Sequence, residues 1–221
     1  TINWYLKRLV NKGYVKVKCL TRGMLKNLTG LLAQDITTQQ RYIQLGIAAE
    51  KTQVLGNIKF DITAPKRFIY QAEQLKQQWS LADRKVIALA STHAHEEKDI
   101  LSALKAALEA DPYLVCIVVP RHPERFDEVF QAAQSLALKT QRRSLGQRIE
   151  ADTQVYLADS MGEMWLWYAL SQACYVGGSL NEPGGGHNIL EPIALNVPTV
   201  LGKNYFNFQT IVDEFVQADA V

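Results

Sequence analysis

The chain has 221 residues, 48% hydrophobic and 21% charged, which suits one ordinary globular domain or two small ones and excludes disordered, collagenous and repeat-only readings. Lysines and arginines number 24 against 22 acidic residues, a net charge of +2 that by itself selects no class of partner. The three cysteines (Cys19, Cys116, Cys174) are too few and too scattered for a disulfide framework or zinc knuckle, and no run approaches the roughly 20 apolar residues of a membrane span or resembles a signal peptide.

The first segment is basic. Lys7, Arg8, Lys12, Lys16, Lys18, Arg22 and Lys26 all precede the first acidic residue, Asp35, and leave the remainder acidic by about five; Trp4, Tyr5 and Tyr14 lie among them. Such a segment is either a solvated helix face or a patch that meets an anionic surface such as phosphorylated lipid headgroups. Nucleic-acid binding is not expected from a chain whose remainder is acidic. A short strand is expected near Val15–Leu20, and apolar text follows at Gly30–Gln34. A helix runs from about Thr37 to Leu45 with Gly46 as its C-cap, and another short strand covers Gln53–Leu55. The polar stretch Thr63–Lys66, with Pro65, reads as a linker.

From residue 83 onward, strands are expected at 85–90, 113–119, 136–140, 153–158, 173–177 and 197–201. Helical patterns lie between and after them at 95–109, 123–135, 162–171, 188–195 and 206–217. Each connection is long enough only for a crossover, so the alternation predicts a parallel, doubly wound sheet with helices on both faces. The expected organisation is an α/β chain with residues 1–57 ending one domain, 58–82 as a crossover and 83–221 as most of a second. The chain starts without Met and stops at Asp219-Ala220-Val221 in strand-like text, so it is expected to be part of a longer protein.

Ligands of open parallel sheets bind beyond the carboxyl ends of the strands. The residues expected there are Ser91-Thr92-His93-Ala94-His95-Glu96-Glu97, Pro120-Arg121-His122, Asp159-Ser160-Met161-Gly162-Glu163, and Gly178-Ser179 through Gly184-Gly185-Gly186-His187-Asn188. The three glycines open onto an expected helix start, where close backbone approach and free first-turn amides suit a phosphate. Glu191, three residues after Asn188 on one helix face, suits the hydroxyls of a ribose. The bland reading is a glycine-rich loop with Asn188 as N-cap. Arg121 leaves a buried strand for the rim, free to fork onto phosphate oxygens unless Glu124 or Asp127 claims it. Neither GxGxxG nor GxxxxGK[ST] occurs, and His93, His95 and His122 show no zinc-site spacing, so no metal is expected.

Taken in order, Gly56-Asn57-Ile58-Lys59-Phe60-Asp61, Ser91-Thr92-His93 with Glu96-Glu97, Pro120 through Phe126, Asp159 through Glu163, Gly177 through Leu180, Gly185 through Asn188 with Glu191-Pro192, and Phe206-Asn207-Phe208 resemble the transferases that add 3-deoxy-D-manno-oct-2-ulosonic acid (Kdo) to the lipid A precursor. The resemblance implies a GT-B architecture of two Rossmann-like domains, this chain carrying the tail of the acceptor domain and most of the donor domain. It implies CMP-Kdo as donor, no metal or other cofactor, and a general base outside this chain, which alone would be inactive. It places Arg121 and the amides around Gly185, Gly186, His187 and Asn188 at the leaving phosphate and Glu191 at the ribose. Met161, Gly162 and Glu163 fall near the cytosine, Ser91, His93 and Ser179 on the phosphate and sugar side, and Lys59 at the Kdo carboxylate. The implied location is the cytoplasmic face of the bacterial inner membrane, reached through the basic N-terminal region. Two departures stand out: His95 replaces a usual glycine, and Asn181-Glu182-Pro183-Gly184 is one residue longer than usual and lacks an arginine. A GT-B enzyme using a UDP-sugar, or a nucleotide-binding module without activity, are the alternatives.

Overall fold

The computed structural model describes Gly23, Leu25 and residues 27–56, 61–182 and 184–217. The basic segment, the strand expected at Val15–Leu20 and Lys59 lie outside the described residues. The chain divides into two compact units, residues 1–61 and 62–221.

The first unit contains a βαβ element. Strand β1 (Leu31–Ala33) pairs in parallel with β2 (Thr52–Val54), joined through helix α1 (Ile36–Leu45). Asp35 caps α1 by accepting the Thr38 amide, and Gly46 closes it in the left-handed region, its amide donating to Tyr42 and Ile43. The Gly30–Gln34 text is therefore a strand, with only Ala33 fully inside.

The second unit is built on six parallel strands, β3 (Lys85–Thr92), β4 (Leu114–Pro120), β5 (Thr140–Arg142), β6 (Val155–Leu157), β7 (Ala173–Val176) and β8 (Thr199–Leu201). Their order is β5-β6-β4-β3-β7-β8, and every pair is parallel. The helices are α2 (Lys66–Gln78), α3 (Glu96–Ala110), α4 (Phe126–Ser135), α5 (Met164–Leu170), α6 (Leu190–Ala194) and α7 (Gln209–Gln217). Strand β4 shows why the sequence lacks polar alternation there. Val115, Ile117 and Val119 pack with Leu166 and Trp167 of α5 and Phe68, Ala72 and Leu75 of α2, while Cys116 and Val118 pack with Leu101 and Leu108 of α3 and Val129 and Ala133 of α4. Both faces are covered, as parallel sheets require.

Several boundaries differ from expectation, among them the following three. The stretch read as a linker continues into α2, whose residues Phe68, Ala72 and Leu75 are buried in the second unit's core. The strand expected at 136–140 begins only at Thr140, because Leu136 ends α4 and Ala137 turns the chain at φ 59°. The helix expected at 188–195 is shorter, starting at Leu190.

At the amino ends of the strands, Arg84 clamps the strand starts. Its guanidinium is buried with no carboxylate in ion-pair contact among the described residues and donates to the carbonyls of Tyr113, Glu150, Ala151 and Thr153 at 2.6–3.0 Å. Burial holds its pKa below the usual guanidinium value.

Candidate functional site

The sheet reverses winding direction at β3. From β3 the chain crosses to β4 on one side, whereas β7 lies on the other side and leads on to β8. The loops leaving β3 and β7 therefore diverge and leave a crevice between them, the position at which open α/β sheets take ligands. A pocket of about 260 Å³ lies there, lined by His93, Gly178, Asn181, Glu182, Gly184, Gly186, His187 and Asn207.

One carboxylate holds the two loops together. Glu96, at the start of α3 and 1% exposed, accepts the amides of His93 (2.9 Å), Gly178 (2.8 Å), Ser179 (3.1 Å) and Leu180 (3.1 Å) and the Tyr175 hydroxyl (2.7 Å). Burial works to raise its pKa, but the bonds from Gly178, His93, Tyr175 and Leu180 outweigh burial and hold it below the ordinary carboxylate value. Its neighbour Glu97, also buried, takes a two-pronged ion pair from Arg125 at 2.7 and 3.1 Å, which fixes the β4 loop to α3. Neither role was visible from local sequence spacing, since Glu96 serves amides 82 to 84 positions downstream.

The approach of β7 to β3 leaves no room at Gly177. A Cβ there would sit 2.6 Å from both the Ser91 carbonyl oxygen and the Thr92 Cα, and 2.9 Å from a Glu96 carboxylate oxygen. Ser91 itself is in the left-handed region (φ 53°), at the irregularity between Ala90 and Thr92 in the β3–β4 register. Gly177→Ala is expected to destabilise the chain by about 1–3 kcal/mol, the range for overpacking that forces backbone shifts, measured by urea unfolding.

The structure brings together many of the expected residues. His93 and His187 meet across the pocket with their Nε2 atoms 2.7 Å apart, and His122 stands edge-on to His93 with ring centres 5.2 Å apart. Burial, then the neighbouring His93 and Arg121, depress the pKa of His187 to about 4. Arg121 is exposed on the rim, and its charge is felt at His187. The carboxylates that might have claimed it are elsewhere: Asp127 pairs with Arg142 at 2.7 Å, and Glu124 stands 3.6 Å from His122. Of the rim arginines Arg121, Arg125, Arg142 and Arg143, only Arg121 has no carboxylate partner among the described residues. Glu191 is largely buried, which raises its pKa against a hydrogen bond from Asn188.

Several expectations are corrected. Ser179 is fully buried; its hydroxyl donates to the Val176 carbonyl and accepts the Gly202 amide, so it braces the β7 loop and presents nothing to a ligand. The glycine amides are also committed, Gly185 to the Asn204 carbonyl and Gly186 to the Gly178 carbonyl. The amides of His187 and Asn188 donate no hydrogen bond among the described residues, which leaves them as the candidate anion donors of this loop. Gly184, Gly185 and Gly186 all have positive φ (57°, 130°, 71°), the loop folding tightly against Asn204, Tyr205 and Asn207. Helix α6 is only five residues long and its first amide, Leu190, is capped by Asn188 Oδ1, so the loop backbone rather than a helix dipole supplies the donors. Glu163 is held by Arg143 (2.8 Å) and by the Ser160 hydroxyl, while Met161 is 61% exposed and Gly162 lies in the open with φ 78°. His95, where the resemblance leads one to expect glycine, adopts φ 74° at the start of α3, a conformation that glycine takes without strain.

The pocket-lining residues that sequence reasoning left without a role include Asn181, Glu182 and Asn207. Asn204 donates to the Asn181 carbonyl at 2.9 Å, and Asn207 donates its amide to the Gly185 carbonyl. Among the described residues no group of three or more His, Cys, Asp and Glu side chains is placed to hold a metal, and no helix is long and apolar enough to cross a membrane.

A family model described as 3-deoxy-D-manno-octulosonic-acid transferase (kdotransferase) matches residues 5–62. The chain is 38% identical over 208 residues to 3-deoxy-D-manno-octulosonic acid transferase of Haemophilus influenzae, covering 94% of this chain and 48% of that protein. It is 34% identical to the Bordetella pertussis protein of the same name, covering 90% of this chain and 46% of that protein. The chain thus spans about half the length of the curated relatives it matches. Among solved structures it resembles the C-terminal CMP-Kdo binding domain of WaaA from Acinetobacter baumannii, with 70% identity, a TM-score of 0.71, and coverage of 71% of this chain and 81% of that one.

Proposed function

This chain belongs to the family of 3-deoxy-D-manno-octulosonic acid transferases, and from that membership we propose that its second unit holds the donor CMP-Kdo while the whole protein transfers Kdo to the lipid A precursor. In this reading the first unit is the end of the acceptor side of a GT-B enzyme. The basic region before Asp35 meets the anionic membrane surface on the cytoplasmic face of the inner membrane, where that acceptor lies. The observation that carries the donor assignment is the pocket at the winding reversal, with the uncommitted His187 amide in its wall, that of Asn188 next in the chain, and nearby an arginine without a carboxylate partner among the described residues.

The chemistry follows from the charges. As the bond between the anomeric carbon and the phosphate oxygen lengthens, the sugar takes on oxocarbenium character and the departing CMP gains negative charge. A phosphate monoester is already a tolerable leaving anion, so catalysis needs preorganised positive potential more than acid strength. Arg121 and the His187 and Asn188 amides provide it, which leaves no step that calls for a metal or a nicotinamide. Glu191 takes the ribose hydroxyls. Strand β6 is two strands away from β3, about 10 Å at the usual interstrand spacing, so the backbone at Met161-Gly162 falls within reach of the base of a nucleotide anchored at the pocket. His93 and Ser91 line the sugar side.

Calorimetric titration of the chain with CMP and with UMP tests the reading. CMP is expected to bind at least about tenfold more tightly, a difference of about 1.4 kcal/mol. Equal affinities would favour a UDP-sugar enzyme instead.

A further inference from the structure

Resting on the reading of this pocket as the cradle of a nucleotide phosphate, we propose that His93 and His187 form a proton-sharing pair that takes up one proton when a phosphomonoester dianion enters, and so makes the pocket selective for that ion over an uncharged nucleoside. The two rings meet edge to edge and nearly coplanar, with centres 4.9 Å apart and planes 24° apart, and their Nε2 atoms face each other at 2.7 Å. Such a contact has room for a single hydrogen. One ring donates Nε2–H and the other offers its Nε2 lone pair, carrying its own proton on Nδ1. A further proton can enter only at the free Nδ1 of the donating ring. The pair therefore holds a charge of zero or +1, never +2.

The surroundings keep the empty pair at zero. The Arg121 charge on the β4 loop disfavours a proton on His187, and His122 stands edge-on to His93. The carboxylates nearby are mostly spent: Glu96 on five donors, Glu97 on Arg125, with Glu182 on the pocket wall 3.9 Å from Lys203. Burial, ahead of these charges, holds both imidazoles below their ordinary pKa. An incoming dianion neutralises the effect of Arg121 and adds attraction of its own, the condition under which an imidazole gains a proton from solvent. No covalent step is involved, and the proton is supplied by the buffer.

The test is calorimetry of the chain with CMP at pH 7.5, where a phosphomonoester is already almost fully dianionic, in two buffers of different ionisation enthalpy. The expected result is uptake of about half a proton or more, with CMP affinity falling as pH rises further. Uptake should vanish in His93→Asn/His187→Asn, with CMP binding weakened about tenfold, and each single variant serves as a folding control. Cytidine should bind weakly and exchange no protons. CMP binding with equal heats in both buffers overturns the proton-sharing pair and leaves the nucleotide reading standing. No CMP binding by a chain that unfolds cooperatively overturns both.

Discussion

Replacing Glu96 with alanine is expected to lower the stability of the chain by about 3–5 kcal/mol and to abolish measurable CMP binding. The magnitude comes from what is left behind. Four backbone amides and a tyrosine hydroxyl converge on this carboxylate, and removing it orphans donors that are enclosed by the β3 and β7 loops. An orphaned buried donor costs about 1–3 kcal/mol, and breaking a buried charge-assisted network reaches the upper end of single-mutant effects. Glu96→Gln keeps the shape but turns an NH2 group toward amide N–H groups, so it should recover only part of the loss. The pH dependence has a definite sign. Because the folded-state pKa lies below the ordinary value, Glu96 contributes stability that is fully present above about pH 4.5 and is lost as pH falls through the folded pKa. Glu96→Gln should accordingly flatten the acid limb of the stability profile. Urea unfolding between pH 3 and pH 8 reads both effects, and a Glu96→Ala chain as stable as the parent would show that the loops hold together without this anchor.

The parts of the fold that could be read from sequence are those whose signal is local and repeated. Strands β3 and β4 stand out because both of their faces are covered, so that Ala88 through Ala90 and Val115 through Val119 carry no polar break. Helix α2 had a comparable signal, Phe68, Ala72 and Leu75 at intervals of four and three, but the neighbouring Thr63–Lys66 text with Pro65 reads as a linker and draws attention away from it. Strand β5 moved because Leu136 and Leu138 are apolar for a helix end and the packing beneath it, with Leu138 buried beside Val129 and Ala133. At the site the position of each loop on the rim was legible, since any residue following a parallel strand must emerge there. What each donor does was not. The amides of Gly185 and Gly186 are used up by Asn204 and Gly178, and Ser179 by Val176 and Gly202, through contacts that only the tertiary fold creates. The same holds for Arg121: its availability depends on Asp127 having found Arg142, a pairing 15 positions apart that no spacing rule announces.

That availability sets the second large expectation. In the whole transferase, Arg121→Ala is expected to reduce the rate of Kdo transfer by about 10²–10³-fold, or about 2.7–4 kcal/mol of transition-state stabilisation, the range for loss of one preorganised donor to a developing oxyanion. Arg121 has no structural partner to abandon among the described residues, so unlike Glu96 its removal should leave the unfolding free energy within about 0.5 kcal/mol of the parent. The loss should fall more on kcat than on KM, because the charge it meets is larger on the departing phosphate than on the bound diester. Arg121→Lys supplies a charge without the two-pronged geometry and should restore only part of the rate. Steady-state transfer assays on the three proteins, paired with unfolding curves, separate the outcomes. Near-normal turnover in the alanine variant would remove Arg121 from the reaction, and a rate loss accompanied by an equal loss of stability would make it a brace for the β4 loop instead.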